Sequence, residues 1–458
     1  MDVKAIESLM PELESFVSRY LPNFGRVQNH AHAMTILQGL LAGGDRRNVE
    51  NMAETIEGGV VRTLQKFIAQ AVWSDQDVLA ELRQHVCAAL GEDDGLLIVD
   101  ETGFPKKGKQ SVGVARQYSG TLGRVDNCQV GVFVSYCSSQ GETLIDRRLF
   151  LPEQWMVDEQ RLAQAGVPSS VIFRSKPELA SEMIQQAIIE GVPFQWVCGD
   201  SIYGTSPVFV QTVRELGKWY VVETSCDARV WTTKPKLRPV GQTTRQGGRP
   251  TKNAKPLKKP RRVDEVVANL PASAWKRMSV AEGSQGPRLY EYAEITVWFS
   301  EQSRPTDRRE RLLVRRSVGQ DSELKYQRSN APAEIPLKKL AEVGGSRWCI
   351  EKNFQSGKGE CGLDEYETRG WIGWHHHTCL SMLALLFLTL QKQRLGKKTS
   401  GPDCSGSPQH TQASARHKRL DLGSARRMEP MANRPQPDRK TLPRTKKKKR
   451  TTKTLKKT

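Results

Sequence analysis

The sequence predicts an α/β fold, and three features predict it. Over residues 1–92, apolar positions such as Leu64, Phe67, Ile68 and Val72 recur at helical spacing, with no alternation of the strand type. Two apolar runs, 96–99 and 194–198, end at Asp100 and at Gly199 followed by Asp200, the pattern of buried central strands. Around them strands give way to helix, strand and helix, the order expected when helices cover a sheet.

Taken in chain order, residues 1–92 predict an all-helical N-terminal domain, since no strand pattern interrupts the periodicity. Strands follow at 96–99, 112–118, 129–136 and 144–150, then a helix at 177–190 and the strand 194–198, which together form the first part of an α/β domain at 93–225. Residues 226–330 read as a β-rich insertion with a basic loop: strands at 292–299 and 311–316 follow a Pro-rich basic stretch that cannot build a core. Helices return from Leu337, giving a second part of the α/β domain at 331–395, and residues 396–458 predict a disordered basic tail.

At 458 residues and 37% hydrophobic content the chain can bury two or three compact cores, so a single small module is excluded. Its net charge of +20 points to a polyanionic partner, because basic side chains that neutralise phosphates release condensed counterions. Residues 234–262 hold eleven basic residues and no acid, and 396–458 hold nineteen basic against four acidic. Those two arms exceed the whole net charge, so the remainder of the chain is net acidic. Nine cysteines without a CxxC pair argue against a disulfide framework or a zinc ribbon and for a reducing, cytoplasmic setting. The N-terminus lacks a basic stretch leading into an apolar one, and the longest largely apolar run, 379–390, falls short of the roughly 20 residues a bilayer requires. No membrane association is therefore expected.

Chemistry is expected where the acids are. Carboxyl ends of parallel strands form the crevice of an open α/β sheet, so Asp100 and Asp200 converge if their strands are neighbours. A third acid, Glu351, lies on a helix between Arg347 and Lys358; at about 100° per residue all three project from one narrow face. Three carboxylates can hold two Mg²⁺ or Mn²⁺ ions for an in-line displacement at phosphorus, with the two cations gripping phosphates. Individually these residues have plainer readings: an acid after a strand is commonly a helix cap, and Arg and Glu four apart are commonly a solvated ion pair. Their joint order in a chain with basic arms is what favours chemistry.

That order resembles the DDE transposases with an RNase H-like fold, and Arg347, Glu351 and Lys358 match part of the YREK signature of the insertion-sequence 4-like groups. Gly344 stands where that signature has its tyrosine. The stretches IVDETGFP (98–105), QYSGTLGRVDNCQVGV (117–132), GDSIYG (199–204) and GECGLDEYETRGWIGWHHH (359–377) are similar to insertion-sequence family 701, over about residues 15–395. The resemblance implies an RNase H-like catalytic domain and metal-dependent cleavage at transposon ends followed by strand transfer into target DNA. It further implies Asp100, Asp200 and Glu351 as catalytic metal ligands, Arg347 and Lys358 as phosphate clamps, end recognition by the helical domain, and a homodimer in the synaptic complex. Lys106, Lys107 and Lys109 are candidates to hold DNA near Asp100, and Arg249, Lys258 and Lys259 to add sequence-independent backbone contacts. The competing readings are a catalytically silent captured transposase that binds DNA, and a simple metal nuclease.

Several motifs are set aside. Gly103 to Lys109 fits GxxxxGK, but Gln110 replaces the hydroxyl residue and no helix pattern follows, so no nucleotide cofactor is expected. Gly357, Gly359 and Gly362 fit GxGxxG but follow a helix, not a strand. His375, His376 and His377 cannot converge on one ion and read as surface or DNA-facing side chains, whereas Trp371 and Trp374 read as core. Asp126 and Glu101 are alternative acids that do not displace Asp100.

Overall fold

The computed structural model describes residues 9–42, 46–120, 123–238, 254–283, 286–301, 303–318 and 323–399. Arg249, much of the basic loop, and all of the expected tail from 400 onward lie outside the described residues.

Five helices come first: α1 (Leu9–Ser18), α2 (Val27–Leu41), α3 (Val49–Thr55), α4 (Val61–Ala69) and α5 (Asp75–Leu90). Ser74 caps α5 by accepting from the Asp77 amide, which satisfies one of the orphan donors of its first turn. Strands β1 (Leu96–Pro105), β2 (Ala115–Ser119), β3 (Arg124–Ser138) and β4 (Gly141–Phe150) follow, then short helices α6 (Glu153–Met156) and α7 (Glu159–Gln164). Next come α8 (Lys176–Ile189), β5 (Trp196–Gly199), α9 (Ser201–Gly204), α10 (Pro207–Glu215) and β6 (Trp219–Thr224). Ser175 and Glu178 form a reciprocal capping box at the start of α8.

The region expected to be an insertion contains β7 (Arg229–Trp231), β8 (Leu237–Arg238), β9 (Lys255–Pro256), β10 (Arg261–Arg262), α11 (Val263–Val267), β11 (Lys276–Gly283), β12 (Gly286–Glu301), β13 (Arg304–Pro305), β14 (Glu310–Ser317) and β15 (Leu324–Ser329). Helices α12 (Leu337–Gly345), α13 (Trp348–Cys361) and α14 (Trp371–Thr399) complete the described chain. The last helix runs four residues past the expected boundary at 395.

One large mixed sheet organises these elements, as an α/β reading requires. Its central strands stand in the order β4, β3, β1, β5, β6, with β3 antiparallel to both β4 and β1, and β5 and β6 parallel to β1. Leu97, Ile98 and Val99 of β1 and Val197 and Cys198 of β5 are completely buried because helices cover both faces of this middle. Each such aliphatic side chain contributes about 1.5–3 kcal/mol by burial. Most of the β-rich stretch joins this sheet: β15 pairs with β6, and β14, β12 and β7 extend it outward, while β8 and β9 pair separately as a two-stranded ribbon. A second small core lies there, where Val263, Val266 and Val267 of α11 cover Val297, Leu312 and Val314.

The N-terminal helices share the main core with the sheet. Phe16 of α1 meets Phe387 of α14 with ring centroids 5.4 Å apart. Two buried arginines fasten α5 to β4: Arg83 reaches Asp146 at 3.5 Å, and Arg147 reaches Asp75 at 2.5 Å. Among the described residues no helix is long and apolar enough to cross a membrane, and every described cysteine is a free thiol.

The three histidines differ from expectation. His375, His376 and His377 are all buried, because α14 is packed against α2, α4, α5 and β4, and within its first turns only the side of Trp371 and Ile372 stays open to solvent. Their ring nitrogens meet backbone carbonyls instead: Trp371 at 2.9 Å, Ile68 at 2.9 Å and Gly362 at 2.8 Å, respectively. Trp374 is buried in the core as expected.

Candidate active site: a row of carboxylates gripped by one arginine

Strands β1, β5 and β6 are locked in register, with Val99 opposite Gly199 and Gly199 opposite Val222. The next residue on each strand is therefore an acid: Asp100, Asp200 and Glu223 stand abreast, at strand spacings of about 4.8 Å. Asp200 leaves β5 with φ −77° and ψ −170°, still extended, and caps α9 by accepting from the Ile202 amide at 2.8 Å. The close approach of α9 to β6 depends on Gly204, where a Cβ would lie 1.8 Å from the Glu223 carbonyl oxygen. Only glycine lets the turn that carries Asp200 lean on the strand that carries Glu223.

Glu223 is absent from the sequence reading, as is strand β6 itself. The signal was present: the run 219–222 followed by an acid repeats the pattern that identifies Asp100 and Asp200.

Arg347 crosses the gap between sheet and helix. Its guanidinium lies 3.3 Å from Asp100 Oδ2, 3.3 Å from Glu223 Oε1 and 2.6 Å from Glu351 Oε1. Burial opposes its charge, but Glu223, Asp100 and Glu351 outweigh burial and hold the group protonated above its ordinary value. Glu351 projects outward with its side chain 55% exposed, against 16% for Asp100. Asp100 and Asp200 lie side by side where β1 and β5 run parallel, and Glu351 lies on α13, with Arg347 standing between it and Asp100. Among the described residues no three acidic, histidine or cysteine side chains are drawn together closely enough to hold a metal ion as they stand.

The negative charge is only partly compensated. Burial, then Asp200 and Glu101, pushes the Asp100 carboxyl up to about 7, with Arg347 pulling the other way. Asp200 is raised too, by burial and then Glu101, while the Ile202 and Tyr203 amides hold it down. Glu101 faces away from Arg347, accepting from Lys176 Nζ at 2.7 Å and from the Tyr203 hydroxyl at 2.9 Å. It thereby ties β1 to α8 and α9 beneath the two aspartates.

The remaining candidates divide. Lys358 lies on α13 with Nζ 3.2 Å from the Gly103 carbonyl, alongside β1; burial lowers its pKa. Lys106 donates to the Tyr366 carbonyl at 3.2 Å and sits 3.6 Å over the Tyr366 ring, with burial lowering it to about 8. Lys107 and Lys109 are exposed beyond the end of β1, and Lys258 and Lys259 are exposed far along the chain near β10. Asp126 is a half-buried ion-pair partner of the exposed Arg124 at 2.9 Å and takes no part in the row. Gly344 packs against Gln327, whose side-chain nitrogen and oxygen would lie 2.7 Å from an added Cβ, so a tyrosine has no room there.

The sequence matches the family model described as DDE superfamily endonuclease over residues 19–287. A curated relative from Microchaete diplosiphon, described as a probable transposase for insertion sequence element IS701, is 29% identical over 221 residues. That alignment covers 47% of this chain and 50% of the relative, so the chain spans about half the length of the protein it matches. Among solved structures, the NurA nuclease from Sulfolobus solfataricus aligns over 70% of this chain and 92% of its own with 10% identity and a TM-score of 0.25, too weak a likeness to argue from. With the family model spanning more than half of its residues, this chain belongs to the DDE superfamily endonucleases.

Proposed function

We propose that this chain is a DNA transposase that cleaves at transposon ends and joins the freed 3′ end to target DNA, with Asp100, Asp200 and Glu351 as its catalytic acids. The observation that carries the reading is the pair Asp100 and Asp200, side by side where the parallel pairing of neighbouring strands ends, half-buried and short of compensating charge. The order β4, β3, β1, β5, β6 supports an RNase H-like core.

DDE superfamily nucleases generally use divalent metal ions. The donor set fits one, since all its oxygens are carboxylate and the charge left over on the aspartates is what a hard cation neutralises. Bound Mg²⁺ or Mn²⁺ activates an attacking oxygen and stabilises a leaving one at phosphorus. Asp100 and Asp200 would hold it, with Glu351 joining once Arg347 releases it. Arg347, freed from the row, and Lys358 beside β1 then orient phosphates. Glu101, held by Lys176 and Tyr203, keeps the aspartates from parting. Recognition of the ends by the N-terminal helices, backbone contacts by Arg249, Lys258 and Lys259, and pairing of two copies on two ends complete this reading.

The test uses purified protein and its Asp200→Ala variant with a labelled fragment carrying the element's ends and a plasmid target, with Mg²⁺ or with EDTA. Metal-dependent cleavage plus joined product, both lost in the variant, is the expected result. Cleavage without joining makes the chain a simple nuclease; retention of DNA without cleavage under any metal makes it a silent DNA-binding copy.

A further inference from the structure

The hairpin of β2 and β3 reaches past the end of the sheet and exposes side chains that a core has no use for. Tyr118 is 60% exposed and Val125 is 53% exposed, and they are direct cross-strand partners. Arg116, two residues before Tyr118 and so on the same face, is exposed as well. Asn127, opposite Arg116, donates from Nδ2 to the carbonyls of Lys106 and of Gly108, the latter at 2.9 Å. That bond fastens the loop bearing Lys107 and Lys109 to this same face.

The register shows which face it is. Phe133 of β3 stands opposite Asp100, and Val125 and Asn127 are an even number of residues away along an unbroken strand. Asp100, Phe133, Asn127, Val125, Tyr118 and Arg116 therefore share one side of the sheet, the side covered by α13, where Phe354 meets Phe133 with centroids 5.5 Å apart. Lys358 and Lys106 lie along the interval between them. The opposite face of the hairpin carries its one described acid, Asp126, already matched by Arg124.

We propose that this hairpin face is a contact surface for duplex DNA leaving the carboxylate row, with Arg116 and Lys107 on phosphates and Tyr118 and Val125 against the sugar edge of a groove. The inference rests on the reading of duplex DNA as the substrate. Eight residues separate Phe133 from Val125, about 26 Å of extended strand. At about 3.4 Å per base pair the contact falls about eight base pairs from the scissile phosphate.

The experiment uses full-length protein carrying Asp200→Ala, so that DNA stays uncut, and a fluorescent duplex of about 30 base pairs, longer than this reach. Arg116→Ala is expected to weaken binding about fivefold and to lower the salt slope by about one. Tyr118→Ala is expected to weaken it about fivefold and to remove hydroxyl-radical protection about eight base pairs from the cleavage position. Arg124→Ala, on the other face, should bind as the parent does, and melting temperatures establish that each variant is folded. Equal binding by parent, Arg116→Ala and Tyr118→Ala overturns the hairpin, as does an equal loss with Arg124→Ala. Failure of the parent itself to bind duplex overturns the DNA reading and the hairpin with it.

Discussion

Arg347 meets three carboxylates on three elements, so the charge balance of the site turns on this one side chain. Asp100 is the acid most exposed to the cost of that arrangement: it is half-buried, stands beside Asp200 with Glu101 close on the other face, and among the described residues is paired with one cation, Arg347. Replacing it with Asn removes the repulsion while keeping the shape. Asp100→Asn is expected to raise stability by about 1–2 kcal/mol in EDTA while cleavage disappears, a trade common at catalytic acids. Chemical denaturation alongside the cleavage assay checks it; loss of stability would show that Arg347 already balances the charge. Glu223 stands 3.3 Å from Arg347. Glu223→Gln is expected to slow cleavage about tenfold and shift its Mg²⁺ dependence, with DNA affinity unchanged, as supporting hydrogen-bond partners of metal sites do.

At the scale of elements, α14 and α5 carry the polar groups that the core has enclosed. Burial lowers His377 to about 4, with the Gly362 carbonyl opposing the shift. A histidine whose folded pKa lies below its unfolded value of about 6.5 leaves stability intact above that pH and erodes it as pH falls, because only the unfolded chain takes up the proton. Between pH 7.5 and 5.5 this residue accounts for a loss of about 1.4 kcal/mol. His377→Gln, which can still donate to Gly362, is expected to remove that share of the pH dependence in urea unfolding; an unchanged slope would count against it. Asp75 shows the reverse case. Burial raises its pKa, yet the charge and hydrogen bond of Arg147 outweigh burial and hold it below the usual range. The pair's contribution is thus present above about pH 4 and fades as pH falls further. Asp75→Asn at neutral pH leaves Arg147 buried and unpaired, with an expected cost of about 3–5 kcal/mol by denaturation.

For the whole molecule, the charge is divided between a net acidic body and basic arms. Residues 400–458 hold 17 basic and four acidic side chains. Ending the chain at Thr399 is expected to leave the melting temperature within about 2 °C, since the main core spans Leu13 to Phe387. The same truncation should weaken non-specific DNA binding and flatten its salt dependence. A salt titration by anisotropy reads both, and an unaltered slope would place the phosphate contacts in the body.

The sequence by itself located the central strands other than β6, and the acids that end the apolar runs of β1 and β5, because a buried parallel strand must be continuously apolar and an acid can follow only where the strand leaves the core. It determined the helix of Arg347, Glu351 and Lys358 through spacing alone. The same rule was available for the run ending at Glu223 and went unread. Tertiary structure alone decided the partners. That Arg347 meets Asp100, 247 residues earlier, follows from the register of β1, β5 and β6, which no local pattern encodes. That three consecutive histidines are buried follows from the helices and strand packed around this part of α14, with the carbonyls of Ile68, Trp371 and Gly362 meeting their ring nitrogens. Periodicity reports whether one face of an element is apolar; it is silent about which distant backbone will satisfy a polar group, and that pairing is settled only when the chain packs.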